Sequence, residues 1–167
     1  MDRFERLAGA LRRIPGLEVR ENEPMKRHTT FRIGGPARLM ALPRSRKEAA
    51  AAVRAATEVG IAPFFLGNGS NLLVADHGYE GFVLKACGLD QVREVNRRLR
   101  AESGITLARL ANAALGRGLT GLEFAHGIPG TLGGAVVMNA GAYGGEMVQV
   151  LTAVNYLDGA GEEHTLP

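Results

Sequence analysis

The stretch Pro63-Phe64-Phe65-Leu66-Gly67-Asn68-Gly69-Ser70-Asn71-Leu72-Leu73-Val74 decides how the rest of the chain is read. Pro63–Leu66 is an apolar run too short for a helix and stops at glycine, which reads as a strand. Leu72–Ala75 is a second apolar run, so the loop between them joins strand to strand. Gly67 and Gly69 permit positive φ and close backbone approach, so successive N–H groups can converge on one concavity. Ser70 and Asn71 add side-chain donors. Such a nest suits a pyrophosphate; the same spacing also describes a tight turn that needs glycine for its own geometry. Two common phosphate loops are excluded. A Walker A loop needs Lys-Ser/Thr after its last glycine, and a Rossmann fingerprint needs a third glycine and a following helix.

Working outward, Ser45 and Glu48 form a capping box for an alanine-rich helix running to Thr57, with Gly60 at its end. Thr29–Pro43 has an extended pattern broken by Gly34-Gly35-Pro36. At the N-terminus Asp2 caps a helix whose stripe of Phe4, Leu7, Ala8 and Leu11 ends before Pro15 and is expected to dock on the core. Downstream, Gly81–Lys85 is a further strand, giving a β-α-β-β unit. Near Gly88 the texture changes. Leu89–Asn96 and Arg97–Glu102 read as adjacent strands, Thr106 opens a helix closed near Gly116 and Gly118, and Val148–Leu157 reads as a strand. Asp158-Gly159-Ala160-Gly161 turns into a short partner from Glu162. The division expected is residues 1–88 for a first lobe with its N-terminal helix, and 89–167 for a second.

A second glycine-dense segment, Gly127-Ile128-Pro129-Gly130-Thr131-Leu132-Gly133-Gly134-Ala135, continues to Asn139-Ala140-Gly141-Ala142-Tyr143-Gly144. It reads as a constrained turn feeding a short helix. Its N–H groups could face an anion or a ring edge, and a close helix crossing would call for the same small residues.

Composition narrows the classes. Of 167 residues 46% are hydrophobic and 22% charged, which supports a packed core without staples and excludes disorder. The net charge is only +3, and the arginines of Arg93–Arg100 are interrupted by Glu94 and apolar residues. They read as solvated strand faces, so nucleic acid is not an expected partner. Cys87 stands alone, which excludes an internal disulfide and a cysteine-based metal site, and a buried inert thiol is its expected role. His28 and His164 lack metal partners at ligand spacing. No run approaches a membrane span, and Met1–Gly16 is too charged for a signal peptide, so membrane insertion is not expected and the cytoplasm is the default location.

Five segments in order carry a resemblance: Thr29-Thr30-Phe31-Arg32-Ile33-Gly34-Gly35, Gly67–Asn71, Gly121-Leu122-Glu123, Gly127–Thr131 and Asn139–Gly144. Together they resemble the UDP-N-acetylenolpyruvoylglucosamine reductases, within the flavoenzymes that share the vanillyl-alcohol-oxidase (PCMH) type of FAD domain. The fold this implies is α+β, with two lobes of small mixed sheets flanked by helices and FAD held between them. The resemblance implies that Leu66, Gly67, Asn68, Gly69, Ser70 and Asn71 hold the pyrophosphate. It implies that Gly127, Ile128, Pro129, Gly130, Thr131, Gly133, Gly134 and Ala135, with Asn139 and Gly141, line the isoalloxazine and ribityl side. Tyr143 is the substrate-side candidate.

The reaction so implied is NADPH-dependent reduction of a UDP-sugar enolpyruvyl ether to UDP-N-acetylmuramate through FAD, in peptidoglycan precursor synthesis. The family's Tyr-Arg-x-Ser motif, serine proton donor and late glutamate are not found here, so no catalytic residue and no metal ligand is assigned within the chain. The chain is therefore expected to be a fragment lacking the substrate-binding domain. His126 is expected to shape its loop rather than move protons, and Asp76 and His77 to cap a turn. A related FAD-dependent oxidase or dehydrogenase, and a non-catalytic flavin-binding module, are the alternatives.

Overall fold

The computed structural model describes residues 2–167. Its first half is built on a four-stranded sheet of β1 (Glu18–Pro24), β2 (Pro36–Leu42), β3 (Pro63–Leu66) and β4 (Tyr79–Lys85), in the order β1-β2-β4-β3. β1 runs antiparallel to β2, while β4 lies parallel to both β2 and β3. Helices α1 (Arg3–Arg12) and α2 (Arg46–Glu58) cover one face. There Leu39, Ala41, Phe82 and Leu84 of the strands meet Phe4, Leu7, Leu11, Ala52, Val53 and Ala56 of the helices. The α1 stripe thus docks on the core as its spacing predicts. Ser45 caps α2 by accepting the Glu48 N–H at 3.2 Å, and Gly60 follows at φ +69°.

Alternation along the strands sends Met40, Val83 and Leu66 to the other face, where they pack with Met25. Arg20 stands opposite Met40 in register and shares that face. Lys85, two residues beyond Val83, shares it too.

The second half contains the hairpin β5 (Val92–Val95) and β6 (Arg98–Ala101), turned by Asn96 and Arg97 at φ +50° and +57°. Two successive positive φ values are the type I′ geometry that matches strand twist. Next come α3 (Leu107–Leu115), α4 (Leu132–Met138), the two-residue strands β7 (Gly141–Ala142) and β8 (Gly145–Glu146), and a last hairpin of β9 (Val154–Leu157) and β10 (Glu163–Leu166). Leu107, Ala125, Ala135 and Met147 form their core. The last hairpin folds back on α2, with ion pairs Arg54–Glu162 and Arg46–Glu163 at 3.2 Å each, and Leu157 against the first core.

The sequence reading did not foresee β1, and three of its expectations need correction. β1 carries no apolar alternation because it is an edge strand of mixed burial. Thr29–Gly35 is not extended: Arg32 N–H returns to the Thr29 carbonyl at 3.2 Å, Arg32 sits at φ +57°, and the strand starts only at Pro36. Leu72–Ala75 is not a strand, because both edges of β4 are already taken by β2 and β3. Its leucine and valine still pack against the Met25–Met40 cluster. Val148–Leu157 is a strand only from Val154, since Met147–Gln149 forms a 3₁₀ turn whose Val148 N–H is captured by the Asn139 carboxamide oxygen at 3.0 Å. Among the described residues no helix is long and apolar enough to cross a membrane.

Candidate cofactor site

β3 ends at Leu66 beside Lys85, the last residue of β4, and the chain then enters the Gly67–Asn71 loop. Among the described residues, the N–H groups of Asn68, Gly69, Ser70 and Asn71 donate to no protein acceptor. Four consecutive free donors in one loop are the makings of an anion nest. Gly69 adopts φ +65°, and a side chain there would collide with the His28 carbonyl; the Thr30 N–H bonds the Gly69 carbonyl at 3.1 Å. Gly67 does not take positive φ; of the two uses of glycine the sequence allowed, it serves the close approach. Its missing side chain makes room for the Thr131 hydroxyl.

That contact joins the two glycine segments. The Ser70 hydroxyl donates to the Pro129 carbonyl at 2.8 Å, and Gly130 passes close to Ser70. The Gly130 carbonyl accepts from Leu107 at 3.1 Å, the Leu132 N–H donates to Ile105 at 2.9 Å, and the Gly133 N–H donates to Ser103 at 2.7 Å. Two donors of the first turn of α4 are therefore spent inside the protein, Thr131 is buried, and Gly134 is left exposed. Sequence reasoning treated the whole segment alike. Asn139, left-handed at φ +44°, likewise gives its side chain to the protein, donating to Glu146 at 2.6 Å. Gly141 is required by the close β8 backbone, and Ala135 is core.

Gly127 differs. It is exposed, it is not at positive φ, and a Cβ built on it meets nothing within 4 Å. A Cβ on exposed Gly134 has only an ordinary contact at 3.6 Å. The fold itself asks for glycine at neither position. Tyr143 is fully exposed at φ +53° and shares a tight turn with Gly144 at φ +83°. With Gly121, Phe124 and Gln149 it lines an open groove of about 450 Å³. His126 is exposed and makes no side-chain hydrogen bond among the described residues.

Sequence reasoning missed a buried polar cluster built around His28, whose backbone carbonyl packs on Gly69. His28 and Glu23 are 8% and 7% exposed, and His28 Nε2 lies 2.8 Å from Glu23 Oε1. His28 Nδ1 lies 2.8 Å from Lys85 Nζ, and Arg20 donates to Glu23 at 2.9 Å. Burial pushes the Glu23 carboxyl up, but the His28 and Arg20 hydrogen bonds outweigh it and hold the group below its ordinary range. Burial lowers His28, and the Lys85 charge adds to that against the pull of Glu23. Lys85 is lowered chiefly by burial. Glu23 and His28 are close in sequence, but only the fold brings Lys85 to them.

The sequence model of the family described as "FAD binding domain" matches residues 37–167. The chain belongs to the FAD binding domain family. It is 53% identical over 137 residues to a UDP-N-acetylenolpyruvoylglucosamine reductase of Caldanaerobacter subterraneus subsp. tengcongensis, covering 82% of this chain and 45% of that one. To the protein of the same name from Moorella thermoacetica it is 47% identical over 160 residues, covering 96% and 53%. The crystal structure of UDP-N-acetylenolpyruvylglucosamine reductase from Thermus caldophilus superposes with a TM-score of 0.71 at 34% identity, over 90% of this chain and 52% of that one. The chain spans about half the length of the curated relatives it matches. p-Cresol methylhydroxylase superposes over 98% of this chain and 35% of its own with a TM-score of 0.69 at 12% identity, a likeness of fold alone. The α+β fold of small mixed sheets and helices is thus the PCMH/vanillyl-alcohol-oxidase type that the sequence led us to expect.

For an FAD binding domain the residues present are suitable. A dinucleotide's pyrophosphate needs several donors, and the Asn68–Asn71 loop carries four consecutive N–H groups without a protein acceptor among the described residues. Its flat rings need backbone without side chains in the way, which exposed Gly127 and Gly134 provide.

Proposed function

We propose that this chain is the FAD-holding part of an NADPH-dependent UDP-N-acetylenolpyruvoylglucosamine reductase acting in peptidoglycan precursor synthesis. The observation that carries the reading is the meeting of the two glycine segments: the free N–H nest of Asn68–Asn71 is tied through Ser70 to the Pro129–Thr131 turn. One edge offers donors to a pyrophosphate. The other offers side-chain-free backbone at Gly127 and Gly134 to a ring system. Leu66, Gly67, Asn68, Gly69, Ser70 and Asn71 form the phosphate side of this site, and the Gly127–Ala135 segment the flavin side, with Tyr143 toward the substrate. Asn139 and Gly141 act indirectly, by bracing the β7–β8 turn that presents Tyr143. The reading keeps two lobes, 1–88 and 89–167, with the cofactor between them.

When bound, the flavin would supply the hydride chemistry that links NADPH oxidation to reduction of the enolpyruvyl double bond. The role of the residues described here is to bind and orient it. The substrate is a UDP-sugar enolpyruvyl ether, and the cytoplasm, where such precursors are soluble, is the site of action.

The test compares this chain with a protein extended to the length of its relatives. Both should take up FAD, and only the extended protein should consume NADPH in response to UDP-N-acetylenolpyruvoylglucosamine. An extended, FAD-loaded protein that ignores this substrate but oxidises small alcohols would overturn the reading.

A further inference from the structure

Lys85 is a half-buried ammonium whose hydrogen-bond partner is an imidazole, not a carboxylate. Among the described residues it forms no salt bridge. Glu23, the nearest acid in the cluster, is already shared by His28 and Arg20, and Arg20 is further paired with Glu18. Burial raises the Cys87 thiol, so that group stays neutral near pH 7 and offers no counter-charge. A cation withdrawn from water without a counter-ion is costly unless some other anion comes to it.

The hydrogen bonds also settle how the cation is held. Glu23 is a carboxylate and can only accept, so His28 Nε2 donates to it. Nδ1 is then the lone-pair side, and it accepts from Lys85. Adding a proton to His28 would set an N–H against the ammonium. The chain Glu23–His28–Lys85 therefore works as a clamp of fixed polarity that fastens the flexible lysine stem.

Its position links the clamp to the nest in two ways. Lys85 is the register partner of Leu66, the residue before Gly67. The His28 carbonyl packs directly on Gly69, and Thr30, two residues on, bonds the Gly69 carbonyl at 3.1 Å. Moving His28 would thus disturb the nest and the cation together.

We propose that Lys85, clamped by His28 and Glu23, is the fixed counter-charge of the dinucleotide's pyrophosphate, placed behind the free N–H groups of Asn68–Asn71. The nest supplies directed donors, and the lysine supplies the net charge that neutral amides lack. His28 and Glu23 are positioning residues. The proposal rests on the FAD reading given above.

FAD titrations of the wild-type chain and two variants test it. Lys85→Gln keeps an N–H for His28 and removes only the charge. It should weaken FAD binding about tenfold at low ionic strength, with the gap closing as salt is added. His28→Gln loosens the clamp between Glu23 and Lys85 and should weaken FAD binding by less than Lys85→Gln, with the gap likewise closing as salt is added. Unchanged affinity in Lys85→Gln, or a loss indifferent to salt, overturns the proposal and leaves Lys85 a packing residue. A folded wild-type chain that binds no FAD at all is a different result: it removes the cofactor reading and this inference falls with it.

Discussion

Gly69 and Gly127 lie in the two joined loops yet answer to different constraints. Gly69 is left-handed at φ +65° and abuts the His28 carbonyl, so Gly69→Ala should lower unfolding free energy by about 2–3 kcal/mol, read by urea denaturation without any cofactor. Gly127 has open space around it, so Gly127→Ala should leave stability within about 0.5 kcal/mol while weakening FAD. A loss of fold in Gly127→Ala would show that the residue serves packing. His28 gives a pH prediction. Its folded pKa is depressed below the ordinary value of 6.5, first by burial and then by the Lys85 charge. The unfolded chain therefore takes up the proton first on acidification. The stability it contributes is complete above the ordinary value and is lost as pH falls toward the depressed one. Thermal transitions across that window should drop in the wild type more steeply than in His28→Gln. Glu23, also depressed, acts in the same direction at lower pH.

At the scale of elements, local signals with a mechanism of their own were readable and those depending on distant partners were not. The α2 cap is local: Ser45 accepts the Glu48 N–H and also bonds its carboxylate at 2.9 Å. Ser45→Ala should cost about 1 kcal/mol, checked by chemical denaturation. The apolar stripe of α1 and the Asp158–Gly161 turn were legible for the same reason. β1 was not, because an edge strand paired on one side can be polar at most positions. Leu72–Ala75 has the composition of a strand, but composition cannot reveal that β2 and β3 already occupy both edges of β4. The start of β9 was misplaced because the side chain of Asn139, at the end of α4 and nine residues before Val148, holds the preceding turn through Glu146 and Val148.

At the scale of the whole molecule, separate hydrophobic clusters can be told apart. One packs residues 4–84 around the first sheet, and another packs residues from Leu107 onward. The paired loops are joined through Ser70 and Pro129, and the family resemblance was legible from five ordered segments that include them. What could not be read was the reason for each glycine: Gly67 and Gly69 fit neighbouring protein, while Gly127 and Gly134 leave a surface bare. The buried Glu23–His28–Lys85 cluster was equally hidden, since its members meet only once β1 and β4 flank β2. The last hairpin, tethered to α2 by Arg46 and Arg54, ties the end of the chain to the first sheet. If the joined loops hold FAD as proposed, a visible-absorbance titration of the folded chain with FAD will register it. A saturating perturbation of the flavin band at one FAD per chain, weakened in Gly127→Ala, is the predicted result. A flavin spectrum that stays that of free FAD while the chain remains folded would contradict the claim.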